Sequence, residues 1–430
     1  MKIALINLPL SIDSDFSTNT NERFFSEGLA LIASALIVAG YEVEIIDFAK
    51  DNCEENMRKY SSYDIFGISA MINQFASLEK AILAIRNIKP NAKIILGGPL
   101  VTSDPDLIAR NLDFDFGIIG EGEKIIVDLL KNLEAPETVA GIVVKKKDGP
   151  NLLTPPRDIL SSDNFLLPAF NLFDLKWYLK GTLRPHYKII GESSILNNLM
   201  LSRGCPFHCK FCCRILGNKV RYKPYFLIEK EIRIWHKAGA NFIRFQDDNF
   251  TIMPKEKLSK VLALLKELDI RWSCQGRVTS VNKERLRAMK SGGLEIIYYG
   301  FESLSLEALK KAGKEIMPAD IYRAVQLTLE AGLIPGGFVI IGLPRETKKS
   351  LKKMVELVRR YRIPVTPYIL CPLPGTEFFS LIKHKIKNGR EFLLQCEEWE
   401  KNQIREGRLY FNLTNLPDQL LLETYLELLN

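Results

Sequence analysis

The stretch Ser202-Arg203-Gly204-Cys205-Pro206-Phe207-His208-Cys209-Lys210-Phe211-Cys212 carries the most structural information in this chain. It places three cysteines at C-x3-C-x2-C spacing directly after a predicted strand at 197–203. Three thiolates on one tight loop can bind three corners of a cubane iron–sulfur cluster. Cys213 is a poor fourth ligand, because adjacent residues of an extended chain point apart. The sequence therefore predicts Cys205, Cys209 and Cys212 as ligands of a [4Fe-4S] cluster with one iron left open.

The cysteine loop also has three alternative assignments. A structural zinc site usually uses two paired Cys or His hooks, but His208 lies inside the loop and no second hook follows. A ferredoxin would show a fourth cysteine at family spacing. The cysteines could also be ordinary buried residues. The chain has 8 cysteines and only this one tight group, which indicates metal or redox chemistry rather than a secreted disulfide scaffold.

Around this loop, residues 196–380 alternate strand-like and helix-like patterns. The predicted strands are 197–203, 242–247, 270–277, 295–301, 336–342 and 365–372. The predicted helices are about 225–238, 255–267, 282–291, 305–311, 319–331 and 347–360. Six strand–helix units predict a partial parallel (β/α)6 barrel, with its active residues on the loops after the strands.

Residues 1–145 show a second α/β pattern, with predicted strands at 2–8, 41–47, 63–69, 92–98 and 115–123. Helical patterns fall at 27–40, about 74–88 and about 123–133. This order predicts a doubly wound, Rossmann-like domain with a parallel sheet, in which ligands bind beyond the carboxyl ends of the strands. Residues 146–195 are irregular but rich in Leu and Phe, and we expect a linker packed between the two domains. Residues 381–430 predict a small helical C-terminal cap.

Composition bounds the function further. The 430 residues carry a formal net charge of +8, which suits an anionic cofactor but does not demand nucleic-acid binding. No apolar run is long enough to cross a bilayer, and the start of the chain resembles a buried strand rather than a signal peptide. We therefore expect a cytoplasmic protein without a membrane span.

The cysteine loop and the ends of the barrel strands together resemble the radical S-adenosylmethionine (SAM) superfamily. The matching landmarks after the loop are Gln246-Asp247-Asp248-Asn249, Arg277, Gly300-Phe301-Glu302-Ser303, Gly342-Leu343-Pro344 and Pro374-Gly375-Thr376. The resemblance implies that the open iron binds SAM, and that one electron cleaves SAM to a 5′-deoxyadenosyl radical. It implies these SAM-binding residues: Phe211, Asp247, Asp248, Arg277, Glu302, Ser303 and Gly342. Taken singly, the aspartates would equally suit a helix N-cap, and Arg277 a structural salt bridge.

The first domain is similar to the cobalamin-binding domain of one radical SAM subclass. The shared motifs end the predicted strands and imply these cobalamin-binding residues: Asn7, Ser69, Gly97, Gly98, Gly120, Glu121 and Gly122. Glycines at strand ends let the backbone approach a large flat ring closely. Residues 1–145 contain no histidine and no Asp-x-His-x-x-Gly motif, so no histidine of this domain would bind cobalt. A degenerate domain that holds no corrin is the alternative.

Two other kinds of N-terminal domain fit poorly. No Gly-x-Gly-x-x-Gly follows the first strand, which argues against nicotinamide binding. Methylthiotransferases carry three cysteines in their N-terminal domain, whereas this one has only Cys53.

The resemblance therefore implies a cobalamin-dependent radical SAM enzyme, with C-methylation of an unactivated carbon as the favoured reaction. A radical SAM cyclase, rearrangement or oxidase without methyl transfer is the first rival, with or without cobalamin. A non-catalytic iron–sulfur electron carrier is the second. The expected partners are an external one-electron reductant of the flavodoxin or ferredoxin type and a small-molecule or peptide substrate that the sequence does not identify.

Overall fold

In the computed structural model, the described residues are 2–9, 23–48, 50, 57–146, 148–180 and 194–429. Cys53 and the linker residues 181–193 lie outside this part of the chain, as do residues 10–22 after the first strand. The described residues form two sheets, each joined to its own helices, and a helical C-terminal segment.

The first sheet has seven strands in the order β2-β1-β3-β4-β5-β6-β7. The strands are β1 Lys2–Asn7, β2 Glu42–Asp47, β3 Ile65–Ser69, β4 Lys93–Gly97, β5 Phe116–Ile118, β6 Ile142–Val144 and β7 Leu152–Leu153. The first five are parallel, and the strand order reverses between β1 and β3. Such a reversal opens a ligand crevice at the carboxyl ends of the strands, so the predicted doubly wound fold is confirmed.

Two features of this first domain differ from the prediction. Strands β6 and β7 are antiparallel additions, and β7 lies inside the segment predicted as linker. Two short helices, α3 Pro99–Ser103 and α4 Pro105–Asn111, follow β4 where no helix is predicted. Both begin with a proline, which suits the first helical turn because its missing N–H has no intrahelical partner there.

The remaining helices of the first domain are α1 Glu27–Val38, α2 Phe75–Ile88 and α5 Gly122–Lys131. One further short helix, α6 Leu175–Tyr178, lies in the segment predicted as linker. Apolar side chains of α1 and α5 pack on one face of the sheet, and those of α2 and α4 pack on the other. This layering places the carboxyl ends of the strands at one open edge.

The second sheet has six parallel strands in the order β15-β14-β13-β12-β11-β8 and forms a half-barrel, which confirms the predicted partial barrel. The strands are β8 Ile195–Leu199, β11 Phe242–Phe245, β12 Arg271–Gly276, β13 Leu294–Glu302, β14 Ile334–Ile341 and β15 Val365–Ile369. The predicted strand 197–203 is two strands. Its second half, β9 Ser202–Arg203, pairs antiparallel with β10 Arg221–Tyr222.

Helices follow the barrel strands in turn and bury their apolar faces against the sheet in one large core around Trp235 and Trp272. They are α7 Tyr225–Ala238, α8 Lys255–Glu267, α9 Lys283–Ser291, α10 Leu306–Lys311, α11 Pro318–Glu330 and α12 Lys348–Tyr361. The C-terminal segment is helical as predicted, with α13 Glu377–Ile382, α14 Gly389–Glu397, α15 Trp399–Glu406 and α16 Asp418–Leu429.

Within the described ranges, every helix is too short or too polar to cross a bilayer.

Candidate functional site

The cysteine loop is closed at its base by the β9–β10 ladder, in which Arg203 and Arg221 face each other in register. Gly204 follows β9 with a φ of +92°, and a side chain there would overlap the carbonyl of Lys219. The N–H of Cys205 donates to the carbonyl of Gly217 at 3.2 Å. A glycine is therefore required where the chain turns from the strand into the loop.

The three predicted cluster ligands lie on this loop as free thiols. Cys205 and Cys209 are half-buried, whereas Cys212 is exposed beside a cavity of about 230 Å³ that Cys209 also lines. Desolvation of the thiol by the surrounding protein, together with the neighbouring Cys209, raises the pKa of Cys212 to about 12. The Cys213 thiol instead contacts the carbonyl oxygen of Pro374 at 3.2 Å.

The charges around the cysteine loop suit an anionic iron–sulfur cluster. Burial raises the pKa values of the Cys205 and Cys209 thiols, and the nearby charges of Lys314 and Arg277 oppose this rise. Both cations would also balance a bound anionic cluster.

The two aspartates after β11 have different roles. Asp247 is fully buried and accepts hydrogen bonds from the Leu201 N–H at 3.1 Å and from the Ser202 hydroxyl. The Asp247 carboxylate thus fixes the strand that leads into the cysteine loop, and its role in SAM binding stays a prediction. Asp248 is exposed and accepts a hydrogen bond from the N–H of Gly204, so this carboxylate borders the cysteine loop.

Arg277, whose role as a SAM ligand stays a prediction, makes several contacts within the protein. Its guanidinium donates to the carbonyls of Lys314 and Glu315, the second at 3.0 Å, and lies 3.9 Å from the ring centre of Phe207. Through these contacts, Arg277 holds the 314–315 turn against the cysteine loop.

Sequence reasoning missed Lys314. Its ammonium group forms an ion pair with Glu302 at 2.7 Å and lies 5.9 Å from the ring centre of Phe211. Both charged side chains are almost fully buried. Lys314 belongs to no motif and reaches the site only because Gly313, at a φ of +65°, turns the chain beside the His208 carbonyl. No signal in the sequence identifies it.

The remaining predicted SAM contacts lie around the same loop. Glu302 has a φ of +56° and ends β13, while Ser303 donates a hydrogen bond to the buried carboxylate of Glu346. Burial raises the pKa of Glu346. Phe211 packs in an apolar cluster with Leu343, next to Gly342. Gly342 is buried and has a φ of +95°, a backbone conformation that favours glycine, and a side chain there would contact Leu370.

The carboxyl ends of β3, β4 and β5, with Ser69, Gly97, Gly98 and Gly120, form the predicted corrin edge. Gly98 has a φ of +86°, and a side chain there would come within 2.7 Å of the Ser69 hydroxyl oxygen. Gly120 has the same φ, and no atom lies within 4 Å of where its side chain would be. Gly97 is the last residue of β4 and directly precedes Gly98. Backbone rather than side chains forms this edge, which suits a large flat ring that must approach the sheet closely.

Three predicted cobalamin contacts also have structural roles in this fold, and their part in cobalamin binding stays a prediction. The Asn7 amide donates to Asp47 at 2.9 Å and to the Tyr178 hydroxyl at 3.1 Å, so it ties α6 to the sheet. A side chain at Gly122 would overlap Ile32, so this glycine permits close packing of α5 on α1. Glu121 is 3% exposed and pairs with Arg203 and Arg221, so its carboxylate faces the barrel.

The fold and these sites together define an enzyme with two cofactor-binding regions. One is a three-thiol loop at the open end of a half-barrel, and the other is a glycine-lined edge of a doubly wound sheet. The B12 binding domain family model matches residues 19–130, and the radical SAM superfamily model matches residues 199–358.

Curated relatives and solved structures agree with these models. An uncharacterized methyltransferase of Pyrococcus horikoshii is 30% identical over 388 residues, which are 87% of this chain and 80% of the relative. The anaerobic magnesium-protoporphyrin IX monomethyl ester cyclase of Cereibacter sphaeroides is 26% identical, over 84% of this chain and 60% of the cyclase. The radical SAM methyltransferase TsrM of Kitasatospora setae, solved with cobalamin and a [4Fe-4S] cluster, superposes with a TM-score of 0.70 at 16% identity. That match covers 89% of this chain and 75% of TsrM.

The chain therefore belongs to the radical SAM superfamily, in its cobalamin-dependent, methyltransferase-like subclass. Its cofactors are a [4Fe-4S] cluster, SAM and cobalamin. Enzymes of this superfamily take electrons from an external reductant. The comparisons do not favour the electron-carrier or methyl-free alternatives.

Proposed function

We propose that this enzyme methylates an unactivated carbon in a cobalamin-dependent radical reaction. The observation that carries the proposal is the presence, in one chain, of a three-thiol loop on a SAM-type half-barrel and a backbone-lined corrin edge. When bound, the SAM–cluster pair supplies the radical that removes a substrate hydrogen, and cobalamin supplies the methyl group. The protein provides geometry and excludes water.

On the barrel side, Cys205, Cys209 and Cys212 would hold the cluster. Glu302 and Lys314 offer a carboxylate and an ammonium group 2.7 Å apart, which suits the opposite charges of the methionyl ammonium and carboxylate of SAM. Asp248, at the exposed end of β11, offers a further acceptor. Phe211, partly buried against an apolar cluster that includes Leu343, would offer the adenine an apolar contact next to Gly342.

On the sheet side, Ser69 and the backbone at Gly97, Gly98 and Gly120 would support the corrin. No histidine occurs in residues 1–145, so no histidine of this domain would bind cobalt. The corrin would be held by the shape of this site and by its backbone.

The proposed reductant is a small electron carrier of the flavodoxin or ferredoxin type, and the substrate is a small molecule or a peptide. We place the enzyme in the cytoplasm, where reducing conditions keep the cysteine loop available for its cluster.

The test uses anaerobic, reconstituted protein with cobalamin, SAM and a strong chemical reductant. We expect S-adenosylhomocysteine in an amount equal to the bound corrin, together with 5′-deoxyadenosine. The Cys209→Ala variant should form S-adenosylhomocysteine but no 5′-deoxyadenosine, because only radical formation requires the cluster. Deoxyadenosine without S-adenosylhomocysteine would contradict methyl transfer and favour a reaction like that of the cyclase relative.

A further inference from the structure

Two buried groups of charges join the first domain to the base of the cysteine loop. The larger group, which we call the interdomain clamp, consists of Glu121, Glu123, Arg203 and Arg221. Its carboxylates stand at the start of α5, and its guanidinium groups stand on β9 and β10. Since β9 and β10 are the two ends from which the cysteine loop projects, the clamp acts where the loop is anchored.

The geometry of the clamp is specific. The two carboxylate oxygens of Glu121 bind different arginines, Arg203 and Arg221, each at 2.6 Å. Glu123 binds the second terminal nitrogen of Arg203 at 2.7 Å. All four side chains are at most 9% exposed. One carboxylate therefore bridges both strands of the ladder, while a second holds the fork of Arg203.

The segment between the domains covers the clamp. The N–H of Leu160 donates to Glu121 at 2.8 Å, and Arg221 donates to the Leu160 carbonyl at 2.7 Å. The Phe165 ring lies 4.4 Å from the Arg203 guanidinium carbon. These contacts keep water from the charges, so a lost partner would not be replaced by solvent.

A second group of charges stands beyond β10. Lys223 is 1% exposed and binds Glu27, at the start of α1, and Glu231, each at 2.6 Å. The cysteine loop is thus fastened to the starts of two helices of the first domain, α1 and α5.

Buried ion pairs seldom add much net stability, but they fix the relative position of the elements that carry them. The turn that supplies Glu121 also supplies Gly120, whose backbone lies at the predicted corrin edge with open space beside it. One short turn therefore has its backbone at the corrin edge and its carboxylates on the anchors of the cysteine loop.

We propose that Glu121 is a positioning residue: through Arg203 and Arg221 it fixes the cysteine loop relative to the cobalamin-binding edge, without contacting the corrin. The proposal rests on the proposed function only for the identity of the two cofactors. Its substance is a mechanical link between the turn Gly120–Glu123 and the loop 204–220. Neither Glu121 nor the arginines transfer protons or electrons in this role.

The test compares Glu121→Gln with wild type in the reconstituted enzyme. We expect the cobalamin dissociation constant to stay within about twofold, because the carboxylate does not reach the corrin. Amide hydrogen exchange in residues 204–220 should become about tenfold faster, because the anchors loosen. The dipolar coupling between cob(II)alamin and the reduced cluster should change from one narrow distance to a broad distribution.

The matched control is Glu79→Gln, which breaks the exposed pair of Glu79 with Arg390 between α2 and α14 and should change none of these values. If Glu121→Gln does not yield folded protein, Arg221→Lys keeps the charge but loses the planar fork, and the same three results are expected. A tenfold loss of cobalamin affinity, or wild-type protection of residues 204–220, would overturn the proposal. Neither exchange nor dipolar coupling needs methyl transfer, so failure of the proposed reaction would be seen separately, in the missing S-adenosylhomocysteine.

Discussion

The cysteine loop and the predicted corrin edge differ in which part of the chain would contact the cofactor. The loop uses side chains, with Cys205, Cys209 and Cys212 projecting from a short segment whose base is closed by a strand ladder. The edge presents backbone, because Gly98 and Gly120 both have a positive φ. A side chain at Gly98 would collide with Ser69, and one at Gly120 would fill open space. The comparison teaches that a metal cluster leaves a residue-specific pattern in the sequence, whereas a flat organic ring leaves mainly glycines.

The largest effect is expected when one of the three predicted cluster ligands is removed. Cys209→Ala should lose the cluster and all reductive SAM cleavage but keep cobalamin binding, because the residues proposed to support the corrin, Ser69, Gly97, Gly98 and Gly120, belong to the other domain. Iron and sulfide content, 5′-deoxyadenosine and the corrin absorption spectrum measure the three properties. Cys213→Ala is the control and should keep its cluster, since that thiol contacts Pro374 instead. Equal loss in both variants would contradict the three-ligand assignment.

The next test concerns charge at the SAM site. Lys314→Gln removes the cation that pairs with Glu302 at 2.7 Å. We expect SAM affinity to fall about 10- to 100-fold, the effect of losing one charge-assisted contact, while the cluster spectrum stays intact. The exposed Lys310→Gln, whose lysine pairs with Glu307, serves as control. Unchanged SAM binding in Lys314→Gln would remove Lys314 from the site.

Backbone geometry at the corrin edge gives the third test. In Gly98→Ala, the new methyl group would be strained at a φ of +86° and crowd the Ser69 hydroxyl, so we expect cobalamin occupancy to fall about tenfold. Gly149→Ala is the matched control, because its φ of +88° is similar but no atom lies within 4 Å of the added carbon. Quantifying bound corrin after gel filtration measures the effect. Equal occupancy in the two variants would show that backbone at Gly98 does not support the ring.

The last test concerns the pH dependence of stability. Burial raises the pKa of Asp247 to about 6 from 3.8, so the folded protein binds more protons than the unfolded chain between about pH 4 and 6. The contribution of Asp247 to stability is thus fully present below about pH 4 and is lost as pH rises through 6, by roughly 3 kcal/mol at most.

In Asp247→Asn this part of the pH dependence should disappear. Urea unfolding of the cluster-free protein at pH 5 and pH 7 measures it, with the exposed Asp106→Asn as control. A wild-type difference between the two pH values in Asp247→Asn would show that another group is responsible.

The sequence predicted the cluster loop and the two α/β patterns because both depend on local signals. Cysteine spacing is visible without a fold, and the apolar periods of α7, α8 and the barrel strands follow from one-sided burial. Strand β7 has only two residues, so its pairing with β6 depends on tertiary contact that no local pattern records. Helices α3 and α4 begin with prolines, which resemble helix breakers in sequence.

The site residues show the same limit. The family resemblance implied Asp247, Arg277, Asn7 and Glu121 as cofactor contacts, and in the fold each also binds a neighbour that is distant in sequence. Lys314 enters the site for the converse reason, since only the fold brings it beside Glu302. Sequence position thus locates the site, but only the fold shows which charged side chains surround it.

Our central claim is that one chain holds a cluster by three thiolates and a corrin at a separate edge. ⁵⁷Fe Mössbauer spectroscopy of reconstituted protein, before and after SAM addition, tests it most directly when bound corrin is quantified in the same sample. We predict one equivalent of corrin and a cubane in which one iron of four changes its signal when SAM binds. Four irons that do not respond to SAM, or a cluster-containing protein that retains no corrin, would contradict it.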